Sequence, residues 1–412
     1  MALAQRWFYR EAKRMISPTS PFPVFAAVLL ALATAKVLIW RFGAPNAAGR
    51  FATIDGLRGY LAFFVFLHHS CIWYFYIRTS QFDSPPSNFM ANIGRASVSL
   101  FFMITGFLFS TKIINDKERG VDWVKLYVSR VLRLTPLYVF AILLLFVSVA
   151  FMSGFTLAQS PLTLVANALR WVGFSSFGEP DLNGVPDTKL ILSGVPWTLA
   201  YEWGFYLCLP LLAVVIGAIP SFSVLIIGFV GVLDFVHFHA ESRFLTPFLG
   251  GIIAAILCRQ AWFRNLSQRS FVSLIAIAAI IVAITLFPTT YARIPLALLS
   301  LSFAVIAGGA TLFGALTSQL SRMLGELAYS IYLLHGFILF TLFNVVIGKL
   351  GARAFTPLEH WLAILLTTPV LILVSYTTFR LIEKPAMQHT ESVSKWVRQA
   401  IPAKRGALEE SL

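Results

Sequence analysis

Two adjacent histidines, His68 and His69, lie deep in an apolar run that opens with Asp55-Gly56-Leu57-Arg58. The run from Leu57 to about Ile77 is long enough to cross a bilayer as a helix. At about 1.5 Å per residue, His69 falls roughly 16–17 Å beyond Arg58, near mid-membrane. Ionisable groups at that depth are expensive and serve transport, proton relay or catalysis. On a helix the two imidazoles point about 100° apart, so only one can face a given cavity.

Other polar residues are expected at the same level. Glu202 descends from the outer end near Pro196, about 9 Å in at helical rise. Ser99 descends a similar distance from about Ile93, and His335 rises from about Glu326 to mid-membrane. Histidine, glutamate and serine together in a low-dielectric interior have the parts for general-base catalysis on a hydroxyl. Glu202 is expected to pair with His69, because an isolated buried carboxylate is costly. The same groups would also suit proton-coupled transport, although no internal repeat with paired broken helices is visible.

The elements that must position these groups are membrane spans. Hydrophobic residues make up 58% of the 412 residues and charged residues 12%, with a mean hydropathy of +0.78. A soluble domain carries about a quarter charged residues. The sequence therefore predicts an all-α, polytopic integral membrane protein. Its basic excess, 32 Lys and Arg against 18 Asp and Glu, fits cytoplasmic loops better than nucleic-acid binding. Apolar segments fall near 22–40, 57–77, 93–114, 134–155, 196–218, 221–236, 244–258, 270–287, 294–316, 326–348 and 361–382.

Lys112, Lys117, Arg119, Lys125, Arg130 and Arg133 mark the loop after the third segment as cytoplasmic. Counting from there puts Arg259, Arg264, Arg269 and the tail with Lys384, Lys395, Arg398, Lys404 and Arg405 inside. The one long polar connection, 156–195, lies outside. The first segment breaks the pattern: spanning would leave Arg6, Arg10, Lys13 and Arg14 outside, and it contains Lys36. It is read as a span, with an interfacial helix as the alternative. No cleavage site marks it as a signal peptide.

Cys71, Cys208 and Cys258 show no disulfide or zinc spacing and read as packing residues. Asp234, His237, His239 and Glu241 crowd an outer loop without a specific ligand spacing, so no metal is expected.

Six elements in order resemble the membrane acyltransferase-3 family over about Phe51–Pro385. Arg58 and His69 are separated by ten residues, as in that family's first core helix. Ser99-Leu100-Phe101-Phe102-Met103-Ile104-Thr105-Gly106-Phe107 comes next, then Arg130-Val131-Leu132-Arg133 with Pro136-Leu137-Tyr138. Trp197-Thr198-Leu199-Ala200-Tyr201-Glu202 with Phe205-Tyr206 resembles its tryptophan–glutamate element. Leu324-Gly325 through Tyr329-Ser330-Ile331-Tyr332-Leu333-Leu334-His335 and Glu383-Lys384-Pro385 complete the series.

The resemblance implies a ten-helix acyltransferase core at 51–385, preceded by residues 1–50 with one extra apolar helix and followed by a short polar tail, 386–412. It implies transfer of an acyl group, usually acetyl, from cytoplasmic acyl-CoA, a co-substrate, to a hydroxyl of an envelope glycan or lipid-linked sugar. A small secreted metabolite is the alternative acceptor. His69 becomes the base or a transient acyl carrier, and Glu202 its assistant. Arg58, Arg130 and Arg133 would grip CoA phosphates, and Ser99, Trp197, Tyr332 and His335 would contact substrate. Expected partners are the donor, the acceptor and the bilayer, in a bacterial inner membrane. Ser99 stands where the family often has an acidic residue, and Thr105 where many members have serine.

Overall fold

The computed structural model describes residues 17–45, 49, 51–238 and 241–400. Among these, all regular structure is helical apart from an isolated bridge between Leu182 and Val185. Seven helices are long and apolar enough to cross a membrane, or eight if Ser242–Leu257 and Ala261–Ser267, bent by 108°, form one span. Three shorter apolar helices join them: Phe222–Leu233, Ser270–Thr285 and Arg293–Ala307. Each apolar segment of the sequence has its helix, and the protein is an all-α integral membrane protein.

In chain order the helices are α1 (Phe22–Phe42), α2 (Ala52–Thr79), α3 (Asn88–Asp116), α4 (Trp123–Met152), α5 (Pro161–Val172) and α6 (Trp197–Ile216). Then come α7 (Phe222–Phe238), α8 (Ser242–Leu257), α9 (Ala261–Ser267), α10 (Ser270–Thr285), α11 (Arg293–Ala307) and α12 (Gln319–Glu326). The last are α13 (Ala328–Thr341), α14 (Lys349–Ala354), α15 (Pro357–Thr378), α16 (Lys384–Gln388) and α17 (Thr390–Ala400). Two π-helical turns, Leu342–Val346 and Phe379–Glu383, continue α13 and α15.

Helices α2 and α4 begin well before their apolar runs. Asp122 caps α4, its carboxylate accepting from the Lys125 amide at 3.0 Å. Lys125, Arg130 and Arg133, expected in a loop, therefore lie in the opening turns of a 30-residue helix. At about 1.5 Å per residue that helix is longer than the hydrocarbon core is thick. Arg58 is likewise carried about two turns into α2.

Helix α2 is the centre of the bundle, packed on α3, α12 and α13. Glycines make this possible. A Cβ at Gly325 would meet the Asp55 carbonyl oxygen at 1.9 Å, and one at Gly59 would meet Leu324 at 2.5 Å. In lipid, helices associate through such close backbone packing rather than through exclusion of water. Helix α1 packs on α12 and α15 through Ala27, Ala31 and Ala35, all fully buried. Its Lys36 is exposed, close enough to the helix end to reach a polar interface.

The outer connection expected as one polar stretch is more ordered than that. It contains α5, whose Leu162, Val165 and Leu169 are exposed on one face. It then makes a 3₁₀ turn, Thr188–Leu192, whose Leu190, Ile191 and Leu192 are buried. This turn lies on α13: a Cβ at Gly336 would meet the Leu192 carbonyl carbon at 2.3 Å. Three apolar residues are too few to register as a span, so hydropathy missed it.

At the opposite end, α17 lies along α4, joined by the Lys125–Glu391 pair at 2.7 Å and the Arg398–Asp122 pair. Arg6, Arg10, Lys13, Arg14, Lys404, Arg405, His239 and the Asp234 side chain lie outside the described residues.

Candidate active site

His69 meets His335, not Glu202. The Nδ1 of His69, on α2, lies 2.9 Å from the Nε2 of His335, on α13. The rings are nearly parallel, 19° apart with centroids 5.0 Å from each other. Phe82, from the connection after α2, stacks on His69 at 6.1 Å. His335 is fully buried, and its Nδ1 donates to the Ile331 carbonyl one turn back at 3.1 Å.

His68 points elsewhere, as helix phase requires. Its Nδ1 donates to the Met90 carbonyl at 2.7 Å. Its ring lies over Gly94, where a Cβ would come within 2.4 Å of it. It is a packing residue between α2 and α3.

Glu202 belongs to a neighbouring cavity. Its carboxylate accepts from the Tyr206 hydroxyl one turn along α6, and from Thr105 Oγ1 of α3 at 3.3 Å. The cavity, about 100 Å³, is walled by Glu202, Tyr206, Thr105, Tyr329 and Tyr332, with Arg58, Arg130 and Arg133. Depth along a helix does not give rotation about its axis, and the expected His69–Glu202 pair is replaced by two adjacent constellations. Tyr332 belongs to both. Its hydroxyl is bonded to Thr198 Oγ1 at 2.7 Å, it lines the Glu202 cavity, and its ring stands edge-on to His335 at 6.2 Å.

The three arginines do converge. Arg130 lies over the Phe109 ring at 5.3 Å, a cation–π contact. Arg58 and Arg133 also line a second, wider cavity of about 410 Å³, with Arg322, Lys384, Asp55 and Glu326. Arg133 Nη1 approaches the Met387 sulfur at 3.3 Å.

In the sequence, Glu383 reads only as the close of a motif. The π turn carries it into the interior, where one carboxylate oxygen accepts from Ser330 and Oε2 has no hydrogen-bond partner. A π turn inserts a residue and rotates the helix beyond it, and it commonly marks a functional position. Regular helical periodicity gave no warning of it. Tyr206 was findable, being four residues from Glu202 on one helix face.

Ser99 and Trp197 stand back from the cavity. Ser99 is fully buried with its hydroxyl unpaired, and its neighbours Val98, Phe101 and Phe102 line the cavity while it does not. Trp197 packs on Tyr201 and Phe244, with centroids at 5.6 and 4.6 Å. In the 156–195 connection, burial pushes the Glu179 carboxyl up to about 7, against the pull of the nearby Lys189 charge.

Residues 51–380 match the family described as Acyltransferase domain. No curated protein and no solved structure matches the chain.

Proposed function

The chain belongs to this membrane acyltransferase-3 family, and we propose that it moves an acetyl group from acetyl-CoA to a hydroxyl of an envelope glycan or lipid-linked sugar. The single observation carrying this reading is the convergence of Arg58, Arg130 and Arg133 on one cavity with Glu202. Its wall residue Tyr332 abuts the His69–His335 pair. The wider cavity, with Arg322 and Lys384 beside Arg58 and Arg133, suits the phosphates of CoA, since guanidinium groups bind phosphate bidentately. The smaller cavity suits the pantetheine arm and its thioester.

His69 takes the acceptor proton as the hydroxyl oxygen attacks the thioester carbonyl. The C–S bond breaks, and the imidazolium returns the proton to the departing CoA thiolate. The alternative course has the His69 imidazole carry the acyl group briefly. Phe82, whose ring lies against His69, comes from the connection expected outside and fits an acceptor arriving there. Tyr332, in the cavity wall, is within reach of substrate; Trp197 and Ser99 act through packing behind it. We place the protein in a bacterial inner membrane, basic cavity inward, with 51–385 as its catalytic unit, 1–50 adding one helix and 386–412 the tail.

The test is mass spectrometry of envelope glycans from cells lacking the gene, complemented with wild type or His69→Ala at equal membrane abundance. Acetyl groups present only with wild type support the reading. Identical glycans in all strains would refute it.

A further inference from the structure

The hydrogen bonds around His335 determine where the protons sit on His69. The Ile331 carbonyl can only accept, so the 3.1 Å contact to His335 Nδ1 requires a proton on that nitrogen. A neutral imidazole carries one N–H, leaving His335 Nε2 as an acceptor. The atom 2.9 Å away, His69 Nδ1, must then be the donor. His69 is left with an unprotonated Nε2. Tautomers are fixed in this way by what the other ring nitrogen bonds.

Both rings are constrained to keep this arrangement. His335 is fully buried and lies one turn beyond Tyr332, whose hydroxyl is tied to Thr198. On its other side, the close contact of Gly336 with the Leu192 backbone fixes the rotation of α13 against the outer turn. His69 meets His335 edge to edge, its ring within 19° of the His335 plane as an in-plane N–H donation requires, and Phe82 lies against it with its ring also nearly parallel.

We propose that His335 is a positioning residue that holds His69 in its Nδ1-protonated form and aims the free Nε2 lone pair at the reaction. This rests on the acyl-transfer reading above. A neutral histidine here does what a carboxylate does beside many catalytic histidines: it orients the ring and selects the tautomer. When Nε2 takes the acceptor proton, Nδ1–H continues to donate to His335, so no proton moves between the rings. The arrangement serves a base or an acyl carrier equally, because both use the Nε2 lone pair.

The test compares His335→Leu, which removes the acceptor, with His335→Gln, which offers a carbonyl oxygen near the position of Nε2. Full-length protein in detergent is assayed with acetyl-CoA and glycan extracted from the deletion strain. His335→Leu should lose roughly 100-fold or more in kcat with the acetyl-CoA KM within about twofold. His335→Gln should recover at least about tenfold of that loss. Ring-nitrogen NMR on ¹⁵N-histidine protein, with His69 assigned by the signals missing in His69→Gln, gives a readout independent of turnover. Wild type should show a protonated Nδ1 and a bare Nε2, and His335→Leu a mixture of tautomers. A protonated Nε2 in wild type, or full turnover in His335→Leu, would overturn the proposal. Wild type that shows the expected tautomer but transfers no acetyl group refutes the acyl-transfer reading and leaves the positioning role intact.

Discussion

Arg58 and Arg133 are shared walls, each lining both the cavity beside Glu202 and the wider cavity beside Lys384. A ligand occupying both cavities would meet both residues. A charge-assisted hydrogen bond is worth about 1.5–3 kcal/mol, or roughly 10- to 100-fold in affinity. Replacing either arginine with Ala should raise the acetyl-CoA KM by at least about tenfold. Lysine should rescue poorly, because it lacks the planar fork. The KM series at two salt concentrations checks this, with residual binding more salt-sensitive in the Ala variants. Unchanged donor affinity in the double variant would leave both arginines as topology signals.

His68 should separate from His69 in behaviour. His68→Ala removes a buried hydrogen bond to Met90 and the ring over Gly94, so a loss of about 1–3 kcal/mol in stability is expected. Turnover per folded molecule should stay within a few-fold of wild type. Thermal unfolding and acetyl transfer on the same preparation measure both. If His68→Ala is fully folded yet inactive, the assignment of chemistry to His69 alone is wrong.

Glu202 and Tyr206 are expected to act as one unit, since the Tyr206 hydroxyl donates to the Glu202 carboxylate. Glu202→Gln keeps the shape and removes the charge, so it should lower kcat more than membrane abundance. Tyr206→Phe should produce a smaller loss of the same kind. The double variant should be little worse than Glu202→Gln alone, because residues sharing one interaction are non-additive. Fully multiplicative losses would show that the two work separately.

Glu179 links stability to pH. Burial raises its carboxyl from the usual 4.5 to about 7, so the fold favours the protonated acid. Its stabilising effect is complete below about pH 4.5 and is lost as pH rises through 7. The penalty for ionisation is on the order of 3 kcal/mol at most. Detergent-solubilised protein should unfold at lower temperature at pH 8 than at pH 5. In Glu179→Gln that difference should shrink. A difference of equal size in the variant would remove Glu179 as its cause.

The helical architecture was legible because apolar runs are the strongest signal a membrane chain carries. The Arg58–His69 spacing and the Arg130–Arg133 pair were equally plain. The partner of His69 was not legible. Depth can be counted along a sequence, whereas the rotation of α2 against α6 and α13 depends on side-chain packing between distant segments. The small-residue contacts that seat α2 on α12, at Gly59 and Gly325, and α13 on the 3₁₀ turn, at Gly336, look like ordinary glycines in one sequence. Glu383 was hidden for a related reason, since its turn departs from the helical repeat on which pattern reading depends.

Helix α1 finds a partner in α15, where the Phe42 and Tyr376 rings stack at 5.1 Å. Synthesis runs from the first of these helices to the other, with almost the whole bundle made in between. The alanine face of α1, shared between α12 and α15, is therefore completed only when both of these later helices have been delivered. Covering of that face comes late in synthesis, and a ribosome that stops before α12 releases a chain in which α1 has neither of these partners.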